Sequence, residues 1–275
     1  MVRLKKYFIL FIHLLLILGV VLSLLPFFWM VSTSLKSAAK ALVLPPQWIP
    51  NPFYWKTYIN AWKAAPFARL FFNSIFMAVS VTLGHLAFGS LAAFAFARIK
   101  VPGGKFLFLF YLATMMIPTQ VLLIPQYLIV HRFGWIDTYF ALIIPSLAGA
   151  FSTFLLRQFF LTLPSELEDA ALIDGCSWYR IFWQIILPLS KPALASVTII
   201  IFTENWNSFL WPLVVTNRMK MRNVQVGLSV FREEFATYWP ELMAACTFIT
   251  IPTLIVFLIF QKYFVTGIAT TGLKE

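Results

Sequence analysis

Two groups of side chains in this sequence could do chemistry. The first is an acidic run, Ser165-Glu166-Leu167-Glu168-Asp169-Ala170-Ala171-Leu172-Ile173-Asp174-Gly175. It holds four of the ten acidic residues of a chain whose net charge is +11. It contains no metal-ligand set, so its chemistry is that of recognition: carboxylates offered to an arginine or lysine of a partner. The second is Glu204-Asn205-Trp206-Asn207, an ionisable group, two amides and an indole within an apolar stretch. Ionisable residues in such places usually face a cavity or a partner. Amides and indoles suit a path for hydroxylated solutes, and structural pairing within a helix bundle accounts for them equally well.

The elements that must position these groups are membrane spans. The chain has 275 residues, 61% hydrophobic and 11% charged, where soluble domains run nearer a quarter charged. A helix needs about 20 apolar residues to cross roughly 30 Å of hydrocarbon. Six stretches qualify: 8–31, 71–96, 105–129, 139–160, 186–212 and 242–263. Backbone polar groups must be satisfied inside lipid, and the runs are too long and lack the alternation of barrel strands. The expected fold class is all-α, a polytopic membrane protein with six transmembrane helices. The first run is too long for a secretion-signal core and no small-x-small cleavage pattern follows it, so it stays as a span.

Arg3, Lys5 and Lys6 precede that span, and Arg98, Lys100 and Lys105 crowd one short loop. Such density near span ends marks the cytoplasmic side, so the N-terminus is expected inside. The basic residues flank apolar runs rather than forming a dense tract, which argues against nucleic acid. Cys176 and Cys246 do not make a disulfide framework. The loop from Lys36 to Arg69 carries Pro45, Pro46, Pro50, Pro52 and Pro66 with Trp48, Trp55 and Trp62. It is expected to be extended and turn-rich, with an interfacial aromatic belt. Ser80, Gly84, Gly89, Ala93 and Ala97 in the second span, and Ser146 and Ala150 in the fourth, form small-residue faces that let helices approach. Pro118 and Pro125 interrupt the third span, and Pro188 and Pro192 open the fifth; proline kinks such helices.

The acidic run reads as a helix over 166–174. Pro164 stops the preceding helix, and Ser165 with Glu168 has capping-box spacing. Glu166, Glu168 and Asp169 occupy the first turn, where the helix dipole favours negative charge, and Gly175 fits a left-handed stop. Such a helix is about 13 Å long and unstable alone, so neighbours must pin it. Leu167, Ala170 and Ala171 offer a small apolar face, leaving Glu168 and Asp169 for a partner's cation. A solvated link between spans is the plain alternative.

No Gly-x-x-x-x-Gly-Lys-Ser/Thr loop occurs, so ATP is not bound here in that way. No Gly-x-Ser-x-Gly nucleophile motif occurs, and His13, His85 and His131 lack metal-ligand spacing. His85 lies mid-span, where an internal hydrogen bond is favoured over a proton relay.

Glu168-Asp169-Ala170 with Gly175 and Ile185-x-Leu187-Pro188 resembles the EAA-type loop of membrane subunits of bacterial ABC importers, with Asp169 standing for the first alanine. Met116-Ile117-Pro118-Thr119-Gln120, Gly134-Trp135-Ile136-Asp137-Thr138, Trp206-Asn207-Ser208-Phe209-Leu210-Trp211-Pro212-Leu213 and the tail Gln261-Lys262-Tyr263-Phe264-Val265-Thr266-Gly267 resemble carbohydrate-importer permeases of the maltose type. The resemblance spans roughly residues 10–270. It implies a type I importer permease fold, with residues 1–67 as first helix and external loop, 68–264 as permease domain and 265–275 as cytoplasmic tail. It implies a place in a bacterial inner membrane, both termini cytoplasmic, and a coupling role for Glu166, Glu168, Asp169, Ala170, Ala171, Asp174 and Gly175. It further implies a homologous second permease, two ATP-binding subunits that carry ATP and Mg, and an extracytoplasmic solute-binding protein. No cofactor is implied on this chain, and the cargo is a carbohydrate or polyol-type solute. A stand-alone secondary transporter is the alternative, although six spans are few for one. A membrane enzyme would need clustered catalytic residues in the spans.

Overall fold

A computed structural model describes residues 2–232 and 237–271, almost all of them helix or tight turn. The expected tail is described only as far as Thr271; its last residues lie outside the described part. Three helices cross unbroken, each a long apolar run: α1 (Val2–Ser34), α3 (Phe67–Arg98) and α14 (Trp239–Thr271). Between α1 and α3 lies α2 (Lys56–Ala64), a helix within the loop expected to be extended.

The other three spans are broken, which corrects the expectation of single helices. The third is α4 (Gly104–Ala113), continued by one tight turn to Met116, then α5 (Thr119–Arg132) at 96° to it. Pro118 supplies no N–H and stands at the break. The fourth is α6 (Tyr139–Ile143) with a tight turn to Ser146, followed at 40° by α7 (Ala150–Phe160). The short α8 (Glu166–Ile173) comes next. The fifth span begins earlier than expected. It runs through α9 (Trp178–Ile181), a wide π turn (Phe182–Ile186) and α10 (Leu187–Leu189), then turns 76° at Ser190 into α11 (Lys191–Trp206). Two short helices follow, α12 (Leu210–Val215) and α13 (Val224–Gly227).

The chain divides into two compact units. One comprises residues 1–67 and 228–251. In it α1 buries none of its apolar window within the chain, as befits a lipid-facing helix. At its end Ser34 Oγ meets the Tyr58 hydroxyl at 2.7 Å, Trp48 packs edge-on against Trp29, and Lys36 Nζ sits 3.9 Å over the Trp29 ring. Burial lowers the pKa of that ammonium. Phe67 stacks on Phe231 and meets Phe248 edge-on.

The second unit comprises residues 68–227 and 252–275. Its main core joins α3, α7, α9 and α11 through residues such as Val81, Phe94, Leu156, Phe160, Ile181 and Val197. The small-residue faces do what their spacing suggests. A Cβ on Gly84 would lie 2.6 Å from the Leu147 carbonyl oxygen, and one on Gly89 2.9 Å from Ser152 Oγ. His85 is held by its own bundle, Nδ1 to Ser152 Oγ and Nε2 to the Ser146 carbonyl, both at 2.9 Å.

Candidate functional site

The acidic helix α8 forms as expected but is capped differently. Ser165 has helical backbone angles and makes no side-chain cap bond; the Glu168 N–H donates to the Ser165 carbonyl instead, at 3.0 Å, and the Glu168 carboxylate turns to another partner. Arg98, the last residue of α3, places Nε 2.7 Å from Glu168 Oε1; Glu168 is buried and the Arg98 side chain nearly so. The two atoms lie off the hydrogen-bond direction, so the attraction is chiefly Coulombic. The Arg98 Nη2 nitrogen donates to the carbonyls of Phe160 and Leu163 at 2.7 Å each. One guanidinium thus ties three things: the end of α3, the end of α7 and the middle of α8. Burial raises the Glu168 carboxyl above its usual pKa, Arg98 only partly opposes this, and Asp169 adds to the rise.

At the other end of α8 the stop is as expected. Gly175 has φ +77°, its N–H donates to Leu172 O at 3.0 Å and the Cys176 N–H reaches back to Ala171 O at 2.9 Å. This is the pattern that closes a helix with a left-handed residue.

The faces of α8 correct the expected grouping. Glu168 and Ala171 point inward and are buried, whereas Glu166, Leu167, Asp169, Ala170, Ile173 and Asp174 are exposed. Glu168 is therefore not free for a partner; Asp169 is. Leu167, Ala170 and Ile173 recur at three-residue spacing and make the outward apolar stripe, and Ile173 is 87% exposed. The motif register moves as well. Four residues separate Ala170 from Gly175, so the Glu-Ala-Ala pattern, which has three, falls on Asp169-Ala170-Ala171 with aspartate in place of glutamate.

The second candidate group is divided. Glu204 and Asn205 line a cavity of about 460 Å³. Trp206 does not: it is 1% exposed and packs on Phe71 and Phe202, because its large indole fills the core on the opposite side of α11. Asn207 accepts a bond from Gln225 at 3.1 Å and does not line the cavity. The sequence did not assign the remaining polar lining to the path: Thr119, Gln120 and Gln126 of α5, Ser146 beside the break in the fourth span, and Ser208 after α11. Amides within an apolar run directly after Pro118 were the available signal. Arg98 was also missed as a site residue, having been noted only as a boundary charge.

Far from α8, the start of α3 is stapled. Asn73 is fully buried. It donates to the carbonyls of Lys220 and Arg222 at 2.9 and 2.8 Å and accepts from the Tyr139 hydroxyl at 2.7 Å. Asp137, with φ +61°, accepts the N–H groups of Asn217 and Arg218 at 2.8 and 3.0 Å. Its Oδ2 also lies 3.4 Å from Arg218 Nε. Burial pushes the Asp137 carboxyl up, but these N–H groups and the Arg218 charge together bring it below its ordinary pKa.

Comparison with known proteins places this geometry. Residues 85–270 match the family model described as "Binding-protein-dependent transport system inner membrane component". The chain is 36% identical over 266 residues to the sn-glycerol-3-phosphate transport system permease protein UgpE of Yersinia enterocolitica, covering 94% of this chain and 95% of the relative. Against UgpE of Escherichia coli O1:K1 it is 33% identical, with 98% of both chains covered. It superposes with a TM-score of 0.80, at 26% identity, on a chain from the crystal structure of a bacterial ABC transporter involved in import of the acidic polysaccharide alginate, covering 95% of this chain and 98% of that one. A second alginate transporter structure, in complex with its pentasaccharide-bound periplasmic protein, matches at TM-score 0.66 and 16% identity and speaks to the fold alone. This chain belongs to the binding-protein-dependent transport system inner membrane components: it is a permease subunit of an ABC importer.

Proposed function

We propose that α8 is the coupling helix through which a separate ATP-hydrolysing subunit drives this permease, and that the cavity beside Glu204 is this chain's share of the translocation path. On this view residues 68–264 form the working permease domain. A homologous second permease completes the path, and two ATP-binding subunits carrying ATP and Mg dock on the cytoplasmic side. An extracytoplasmic binding protein delivers the solute. Both termini and α8 face the cytoplasm, in keeping with the basic 98–105 loop on the same end of the bundle as α8. The cargo is a carbohydrate or polyol-type solute.

The observation that carries the coupling role is the Arg98 tie. A loop helix that merely links spans needs no buried ion pair to the ends of two of them. Here a displacement of α8 pulls on α3 through Glu168 and Arg98, and on α7 through the carbonyls of Phe160 and Leu163. The outward face, with Asp169 and the Leu167–Ala170–Ile173 stripe, is left for the ATPase: Asp169 for a basic group, Ala170 for close approach, Ile173 for an apolar pocket. Support for the path comes from where the cavity lies. Non-helical backbone at membrane depth is tolerated where it lines a water-filled cavity, and the cavity adjoins the break at Pro118, the break after Ser146 and the end of α11. With the path open outward while the ATPases are closed on nucleotide, and inward after hydrolysis, transport proceeds by alternating access.

The test is uptake in cells carrying the whole transporter. Glu168→Lys, which sets two cations together, and Gly175→Asp, which strains the stop, are expected to insert and assemble normally but to abolish uptake. Asp169→Cys is expected to cross-link to the ATPase subunit. Normal uptake in both point variants, with no cross-link, would overturn the assignment.

A further inference from the structure

We propose that the cavity beside Glu204 admits neutral polyhydroxyl solutes and disfavours phosphorylated or carboxylated ones, an inference that rests on assigning this cavity to the translocation path. The inventory of this chain's part of the wall carries it. Its polar groups are amides (Gln120, Gln126, Asn205), hydroxyls (Thr119, Ser146, Ser208) and one carboxylate, Glu204; no lysine, arginine or histidine lines it among the described residues. Glu204 is exposed there, and no hydrogen bond or ion pair to it occurs among the described residues. Glu204 interacts electrostatically with His85, but His85 stands behind the wall and does not line the cavity, with its ring nitrogens on Ser146 and Ser152. Among the described residues the positive feature of this wall is the amino end of α5, worth about half a unit charge, against the full charge of Glu204.

Such a wall matches sugar chemistry. A free carboxylate accepts two hydroxyl groups in charge-assisted bonds. Amides both donate and accept, and can follow a solute that offers both. The Trp211 indole N–H is occupied by the Ala141 carbonyl at 2.9 Å, and Trp211 with Phe209 gives the cavity apolar surface for the carbon faces of a sugar ring. An anionic solute gains nothing from the aromatics that a neutral one lacks and meets Glu204 with like charge, which few interior sites tolerate. The expected cargo thus differs in charge from the solutes in the names of the chain's relatives, a glycerol phosphate and an acidic polysaccharide.

The experiment reads the cavity's charge without knowing the cargo. In the assembled transporter, with Cys176→Ser and Cys246→Ala removing the native thiols, Ser208→Cys is reacted with a cationic and an anionic methanethiosulfonate. The cationic reagent is expected to react at least tenfold faster, relative to the two rates on a free thiol, and Glu204→Gln is expected to abolish that preference. Uptake of a neutral disaccharide, a sugar phosphate and a uronate disaccharide is measured in parallel. Glu204→Gln should raise the uptake of the anions relative to the neutral sugar about tenfold, or about 1.4 kcal/mol. Equal reagent preference with and without Glu204, or wild-type preference for the anions, overturns the charge inference alone, provided that modification of the introduced thiol blocks uptake. If neither reagent reaches that thiol, or its modification leaves uptake intact, the path assignment itself fails.

Discussion

Glu168→Gln isolates the ion pair from everything else that α8 does. The substitution keeps the side chain's size and removes its charge. Arg98 Nε and Glu168 Oε1 are 2.7 Å apart, with the two side chains 10% and 6% exposed. Breaking a buried pair by removing one partner typically costs about 3–5 kcal/mol. Two facts lower that here. The guanidinium keeps its two carbonyl partners at 2.7 Å, so it is not stripped bare. Burial already disfavours the Glu168 charge, and that penalty disappears with the substitution. An expected loss of about 2 kcal/mol follows, which at 1.4 kcal/mol per decade is roughly a 30-fold rise in the undocked population of α8. Amide exchange reads this directly. The N–H groups of Gly175 and Cys176, bonded to Leu172 and Ala171, should exchange roughly 30-fold faster in the assembled transporter, while the amides of α7 stay unchanged. Exchange within twofold of the parent, or an equal rise throughout α7, would refute the idea that this pair holds the helix in place.

Other outcomes are predicted. Arg98→Lys should uncouple ATP hydrolysis from uptake more severely than Glu168→Gln, since an ammonium cannot span two carbonyls and a carboxylate as the guanidinium fork does; the ratio of solute moved to ATP hydrolysed is the measurement. Gly84→Ala should destabilise by about 1–3 kcal/mol, because its Cβ meets the backbone oxygen of Leu147 at 2.6 Å; a lowered thermal midpoint in detergent checks it, with the uncrowded Gly104→Ala as control. Asp137 has a lowered pKa, so its stabilisation is present above the ordinary aspartate value of about 4 and is lost as pH falls through the lowered one. Asp137→Asn should flatten that acid limb of the stability profile.

The membrane-spanning, all-helical character was legible because lipid demands long apolar helices and leaves little else for a run of twenty such residues to be. The breaks were only half legible. Pro118 announced one, and Pro188 and Pro192 flank the bend at Ser190, but the turn after Ser146 depends on what packs around it. The stop at Gly175 was legible because left-handed backbone selects glycine. The cap at Ser165 was not, since its spacing fits a capping box equally well whether or not Arg98 stands nearby, and only the fold brings residue 98 to residue 168. Trp206 fails as a path residue for the same kind of reason. Adjacent positions on a helix face different ways, and the sequence did not say which face of α11 met the core.

Residues 73 and 98 lie on one uninterrupted rod, about 37 Å apart along its axis, a separation greater than the hydrocarbon thickness. The near terminus of α3 is clasped by the 220–222 segment through Asn73 and the far one by α8 through Arg98. A stiff lever fastened at both tips cannot be moved at one without notice at the other. On the coupling role proposed for α8, thermodynamic reciprocity makes the effect two-way: whatever grips the segment around Lys220 would bias how α8 seats, and whatever seats α8 would bias that grip by the same factor. Severing the clasp with Asn73→Leu should therefore leave each tip able to bind its own partner while erasing the influence of one on the other, measurable as loss of binding-protein stimulation of ATP hydrolysis.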